Sequence, residues 1–136
     1  MCGRVWFQVF CESVPYVIPT QPCSASYKFG ASEPVVANQS AIIPAVLGRK
    51  AIHIATDIVD VDGPFLLSRA AMKKLNMIIN FGTDSVSFLG TTYPLTVTSS
   101  GHYTIPLTPS MQLLSTHRYL PDTNVIFTSS ATLTKA

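Results

Sequence analysis

Apolar and polar residues alternate most clearly in the middle of the chain. Residues 51–59 (AIHIATDIV) have the period-two spacing of a half-buried β-strand, with one face formed by Ile52, Ile54, Thr56 and Ile58. The apolar stretch 41–47 precedes this strand, and the separator Gly48-Arg49-Lys50 is short and contains a turn glycine. The pattern therefore predicts a β-hairpin over residues 41–59, followed by a turn at Asp62-Gly63-Pro64.

One helix is predicted, over residues 69–75. It follows the short apolar run 64–67 (PFLL), and Ser68 stands where its hydroxyl can cap the first turn. Met72 and Leu75 are three residues apart and give the helix a narrow apolar edge. Two adjacent lysines near its end suit the negative end of the helix dipole.

Short strands are predicted after the helix, with the spacing of a compact all-β domain: residues 77–81, 85–89, 93–98 and 103–107. Prolines are frequent in the first 22 residues and again from Pro94 onwards, so both ends are expected to be connecting segments. We therefore expect one domain over residues 1–107, and a linker or tail without assigned fold over residues 108–136.

Composition narrows the class of protein. With 47% hydrophobic and 12% charged residues in 136, the chain is typical of one globular domain. The net charge is +2 and the basic residues are scattered, so we expect no nucleic-acid partner. The apolar stretch 41–47 is far shorter than the roughly 20 residues of a membrane span, so no membrane association is expected. The spacing of Cys2, Cys11 and Cys23 matches no zinc or disulfide framework and favours a reducing, cytoplasmic setting.

No familiar catalytic or cofactor motif occurs in the sequence. Phosphate-binding glycine loops and a G-x-S-x-G elbow are absent, and the three histidines lack metal-ligand spacing, so no cofactor or metal is expected. Paired-aspartate catalysis uses Asp-Thr-Gly or Asp-Ser-Gly, because glycine permits the tight turn that presents the carboxylate. Asp84-Ser85-Val86 and Asp122-Thr123-Asn124 both lack that glycine, although Asn124 tolerates left-handed backbone.

Several blocks between residues 27 and 107 form a specific order when taken together. They are Tyr27-Lys28-Phe29-Gly30, 44–48 (PAVLG), 56–60 (TDIVD), 64–68 (PFLLS), 71–74 (AMKK), 78–81 (IINF) and 98–107 (TSSGHYTIPL). This order resembles the retropepsin family, the aspartic proteases of retroviruses and LTR retrotransposons. In that family the blocks would be the start of the flap hairpin, two further strands, the apolar segment, the helix, the next strand and the exit to another polyprotein domain.

The resemblance implies a fold and a set of partners. The fold would be an all-β, retropepsin-like closed barrel with one short helix. Phe29, Gly30 and Ala31 would form the substrate-binding part of the flap, with a peptide as substrate. A second copy of the domain would complete a homodimer in the intact parent protein, which would be a hydrolase active in proteolysis.

One departure from the family bears on activity. In these relatives Asp-Ser-Gly stands shortly before a stretch that Met1-Cys2-Gly3 resembles, so the triplet and the amino-terminal strands would fall upstream of Met1. We therefore expect a truncated fragment of an aspartic endopeptidase, inactive as written, with no catalytic residue. A gene model opening at an internal methionine, an excised domain and a domesticated remnant would all give this sequence. The alternatives are a peptide-binding module that acts by β-addition, or a structural β module, in either case without catalysis.

Overall fold

The computed structural model describes residues 1–28, 31–112 and 130–134. This part of the chain is mostly β, with ten strands and two helices. The strands are β1 (Cys2–Gly3), β2 (Thr20–Tyr27), β3 (Val35–Leu47), β4 (Lys50–Val59), β5 (Ile78–Asn80), β6 (Ser85–Phe88), β7 (Thr91–Pro94), β8 (Thr96–Val97), β9 (His102–Pro109) and β10 (Ser130–Thr134). The helices are α1 (Arg4–Glu12) and α2 (Arg69–Lys74). The expected all-β class is confirmed at this level.

The larger sheet is built around the β3–β4 hairpin. Its strand order is β1-β4-β3-β9-β10, with β2 paired to β3 and β8 paired to β9. The hairpin pairs Leu47 with Lys50 at the turn and Ala37 with Val59 at the far end, which confirms the hairpin predicted over residues 41–59. Within the described residues the strands form an open path, and no closed barrel is found.

The helix predicted after the apolar run is confirmed as α2. The Ser68 hydroxyl accepts a hydrogen bond from the Ala71 backbone N–H at 3.0 Å, as an N-cap should. The chain then forms the second sheet, in the order β5-β6-β7 with antiparallel pairing throughout.

The expectation of a single helix is wrong, because α1 is a second one. Phe7 and Phe10 are buried at a spacing of three residues, and Trp6 stacks on Phe10 with ring centroids 5.3 Å apart. This spacing is that of one helical face packed on the core. The prolines that suggested a connecting segment begin at Pro15, after the helix has ended.

Strand β2 was not expected either, since it contains Pro22. It pairs with β3, and the register shifts between Pro22 and Ala25. Among the described strands, β2 pairs with no strand other than β3, so it is an edge strand. An edge strand with a bulge tolerates a proline because one row of its backbone groups is unpaired.

The main core lies between the large sheet, the two helices and the small sheet. Alternate β4 residues Ile54, Thr56 and Ile58 are buried as the period-two pattern predicts, and Ile52 is half-buried. The largest fully buried side chains include Tyr103, Phe65, Ile43, Leu47, Ile54, Ile58 and Ile105. Neither described helix has the length and apolar composition needed to span a bilayer.

The region after residue 107 contains regular structure where none was expected. Strand β9 continues to Pro109, and β10 pairs antiparallel with it from Ser130↔Pro106 to Thr134↔His102. The boundary expected at Leu107 thus falls within a strand.

Candidate functional site

An apolar cavity of about 220 Å³ lies beside the first residues of the chain. Its walls are Met1, Gly3, Val59, Val61, Asp62, Gly63, Pro64 and Leu66. We call this space the Met1 cavity. Since most of its wall is aliphatic or backbone, it suits an apolar side chain better than a charged one.

Strand β1 forms one wall because it is inserted between two other segments. On one side it pairs in parallel with the end of β4, Cys2 opposite Ile58 and Gly3 opposite Val59. On the other side the Leu66 N–H donates to the Met1 carbonyl oxygen at 2.8 Å. The first residues are therefore held by backbone hydrogen bonds from both neighbours.

Gly3 is required by this close approach. A Cβ at Gly3 would lie 2.7 Å from the carbonyl oxygens of both Val61 and Gly63. Such distances are too short for carbon and oxygen, so any side chain would push β1 away from the loop that follows β4.

The β2–β3 hairpin packs against the same residues. Met1, Ala37 and Val59 form a small buried cluster, and Leu66 and four hairpin side chains pack against it: Cys23, Ala25, Tyr27 and Val35. This cluster and the Met1 cavity thus share Met1, Val59 and Leu66. The loop 61–66 lines the cavity directly, and the hairpin adjoins it through these three shared residues.

Two polar groups of β2 face the Asp57 carboxylate of β4. The Tyr27 hydroxyl donates a hydrogen bond to Asp57 Oδ2, and burial together with this carboxylate raises the pKa of Tyr27. Burial, and then the charge of Asp57, also raise the pKa of the Cys23 thiol. Cys23 is consequently a protonated thiol at neutral pH and not an activated nucleophile.

The amino group of Met1 is buried in the same place. It lies 3.4 Å from the Leu66 carbonyl oxygen, to which it donates. Burial lowers its pKa to about 6, a change that Cys2 and Asp57 partly oppose. In the 136-residue chain this amine is therefore largely neutral at physiological pH.

Arg4 connects β1 and α1 to the sheet at the mouth of a second, polar groove. Its guanidinium forms an ion pair with Asp60 and donates to Gln39 Oε1 at 2.7 Å. The groove has a volume of about 460 Å³ and is lined by Arg4, Thr20, Gln21, Pro22, Asn38 and Gln39. Because its guanidinium is already paired with Asp60 and Gln39, we infer that Arg4 holds α1 against the sheet and does not bind a ligand.

The residues expected in the flap are only partly placed. Ala31 is exposed in the turn between β2 and β3, whereas Phe29 and Gly30 lie outside the described residues. Sequence reasoning missed Met1, Val59 and Leu66, which the structure brings to the cavity. Gly3 and the Asp62-Gly63-Pro64 turn were the local signals of a close backbone approach.

The aspartate triplets do not form a dyad among the described residues. The Asp84 carboxylate accepts a hydrogen bond from the Tyr103 hydroxyl at 2.6 Å, which, with burial, raises the pKa of Tyr103 to about 12. Asp84 thus has a structural partner, and Asp122 lies outside the described residues. In the part of the chain that is described, no three His, Cys, Asp or Glu residues are grouped to hold a metal ion.

The chain was compared with protein-family models, with curated proteins and with solved structures, and none matches it. A function for this chain must therefore be inferred from the order of its elements and the geometry of the Met1 cavity.

Proposed function

We propose that the chain is a retropepsin-like β domain derived from a retroelement polyprotein, and that its Met1 cavity receives a side chain of an extended peptide. The observation that carries this proposal is the Met1 cavity itself, an apolar space that the loop 61–66 lines and that adjoins the cluster on which the β2–β3 hairpin packs. In the proposal, the peptide runs along the hairpin and places one apolar side chain in this cavity.

The order of elements also supports the proposal. A first hairpin (β2–β3) is followed by a second (β3–β4), then by the apolar run ending at Leu67, by α2 and by β5. This is the order of flap, second hairpin, apolar segment, helix and strand that the resemblance implies. In the proposal, further amino-terminal strands of the parent protein close the open sheet into a barrel in a cytoplasmic setting.

The 136 residues by themselves are proposed to be inactive. A shared-proton pair needs two aspartates held about 3 Å apart, and neither Asp-Ser-Gly nor Asp-Thr-Gly occurs in the sequence. In the parent each copy would bring one aspartate, so a second copy of the domain is its implied partner. The proposed parent is an aspartic endopeptidase.

A second candidate function is peptide binding without cleavage. The observation that favours it is β2, which in the described part of the chain pairs with β3 alone. The other edge of β2 presents backbone N–H and C=O groups to which an extended peptide can add as a further strand. This module would bind peptides whether or not an aspartate were supplied.

Peptide binding can be tested on the chain as it stands. Val61 lines the Met1 cavity and is 39% exposed, so Val61→Lys should place a charge at its mouth without opening the core. The matched control is Val9→Lys on the outer face of α1, where the valine is 59% exposed. In an NMR titration with a library of apolar peptides, we expect shifts at Met1, Val59 and Leu66 that Val61→Lys abolishes and Val9→Lys retains. Equal binding by both variants would contradict the assignment of the cavity.

A further inference from the structure

A second apolar cavity lies at the opposite end of the β3–β4 hairpin from the Met1 cavity. It has a volume of about 350 Å³ and is formed by the hairpin turn, β7, β8 and β9. The side chains that matter for its chemistry are Arg49, Tyr93, Pro94, Thr96, Ile105 and Pro106. This volume is within the range of small-molecule sites. We call it the Tyr93 cavity.

The turn that forms one wall is held in place by its glycine. Gly48 has φ +63°, and its N–H donates to the Pro106 carbonyl oxygen at 3.0 Å. A Cβ at Gly48 would lie 2.8 Å from the Tyr93 ring. Glycine therefore satisfies both the left-handed backbone and the close contact with the ring, so the wall is a defined surface and not a loose loop.

Tyr93 has a buried hydroxyl with no hydrogen-bond partner among the described residues. The residue is only 5% exposed, and its ring packs on Phe88 with centroids 5.0 Å apart. Leaving a buried hydroxyl unpaired is unfavourable, and natural structures seldom do so without a water or a ligand to complete the bond. The hydroxyl is thus a donor that has no acceptor among the described residues.

Arg49 supplies a positive charge at the same place. Its guanidinium carbon lies 5.7 Å from the centroid of the Tyr93 ring. Within the described part of the chain Arg49 forms no ion pair, and none of the side chains lining the cavity is acidic. A guanidinium without a carboxylate partner can bind one in two parallel hydrogen bonds.

We propose that the Tyr93 cavity binds a small organic acid that combines a carboxylate, an apolar body and a second acceptor oxygen. Arg49 binds the carboxylate, Pro94, Ile105 and Pro106 contact the apolar body, and the Tyr93 hydroxyl donates to the acceptor oxygen. The Tyr93 hydroxyl has no solvent-accessible surface, so binding requires Arg49, which is exposed and lies over the ring, to rotate and admit the ligand to the hydroxyl. This site is independent of the Met1 cavity, with which it shares no residue.

The probe is N-acetylphenylalanine, and its carboxamide is the uncharged control. Titrated into the 136-residue protein near neutral pH at low salt, the acid should shift NMR signals at Gly48, Tyr93 and Ile105 saturably, and the amide should bind about fivefold or more weakly. Arg49→Gln should weaken binding of the acid about fivefold to tenfold. Arg49→Lys should keep part of that affinity, and Arg69→Gln on α2 should change nothing.

Tyr93→Phe separates this proposal from a hydroxyl that is satisfied by an ordered water. Removal of an unpaired hydroxyl should leave the melting temperature of the free protein unchanged or raise it, while affinity for the acid falls about fivefold. A lower melting temperature together with unchanged affinity would show a hydroxyl already bonded by water, and would overturn the proposal. Equal binding of acid and amide, or no saturation by about 10 mM, would also overturn it.

Discussion

Gly3→Ala is expected to destabilise the protein, because Gly3 is where β1 passes closest to the loop after β4. The new methyl carbon would start 2.7 Å from the carbonyl oxygens of Val61 and Gly63, and 2.9 Å from the Gly63 nitrogen. All three atoms belong to the backbone, so a side-chain rotation cannot relieve the contact. The cost should be that of overpacking, about 1–3 kcal/mol.

Gly63→Ala is the matched control for this prediction. A Cβ at Gly63 would have no atom within 4 Å. The same chemical change should therefore be neutral, or should stabilise the protein by about 0.4–1 kcal/mol because alanine reduces the conformational entropy of the unfolded chain. Urea unfolding measures both variants, and the two free energies of unfolding should differ by at least about 1 kcal/mol. Equal stabilities would show that β1 does not lie against this loop, and would remove one wall of the Met1 cavity.

Two further predictions concern the polar groups around the Met1 cavity. Folding lowers the pKa of the Met1 amine from 8.0 to about 6. Between these pH values the unfolded state binds more protons than the folded state, so the free energy of unfolding should rise with pH, by about 2–3 kcal/mol in all. Urea unfolding across this range should show the rise for protein with intact, free Met1, and acetylation should remove it; the same slope in both forms would contradict a buried amine. Tyr27→Phe removes a hydrogen bond to the Asp57 carboxylate and should cost about 1.5–3 kcal/mol, whereas Tyr16→Phe removes a bond to a neutral carbonyl of Ser110 and should cost about 0.5–1.5 kcal/mol. Thermal and urea unfolding of the pair check the order, and a smaller loss for Tyr27→Phe would contradict it.

The elements predicted correctly are those that local patterns determine. The β3–β4 hairpin was predictable because alternate β4 residues are apolar and a glycine turn joins the two strands. Helix α2 was predictable because Ser68 caps it directly after an apolar run. In both cases the signal lies within about ten residues of the structure that it specifies.

Helix α1 and the Met1 cavity were missed for different reasons. The α1 spacing of Phe7 and Phe10 was present in the sequence, but the prolines after the helix outweighed it. The cavity arises from a parallel pairing of Cys2 with Ile58 and a hydrogen bond between Met1 and Leu66. The two residues of β1 are too few to show a period, and the alternation along β4 does not indicate which segment, more than 50 residues away, pairs with it.

In the proposed function, the domain holds a peptide beside an aspartyl dyad that two copies of the parent protein complete. The most direct measurement is peptidase activity after extension of the chain with a segment that carries Asp-Ser-Gly a few residues ahead of Met1. Specific activity toward a fluorogenic peptide library should appear, and should rise with protein concentration until the dimer saturates, since each copy brings one aspartate. It should peak at acidic to mildly acidic pH, where the pair holds one proton.

The control replaces the added aspartate with asparagine, which keeps its size and removes the titrating group. This variant should lose the activity and retain assembly. An extended protein that is folded and dimeric, yet cleaves no peptide across that pH range, would contradict the protease origin and leave peptide binding without cleavage as the better account.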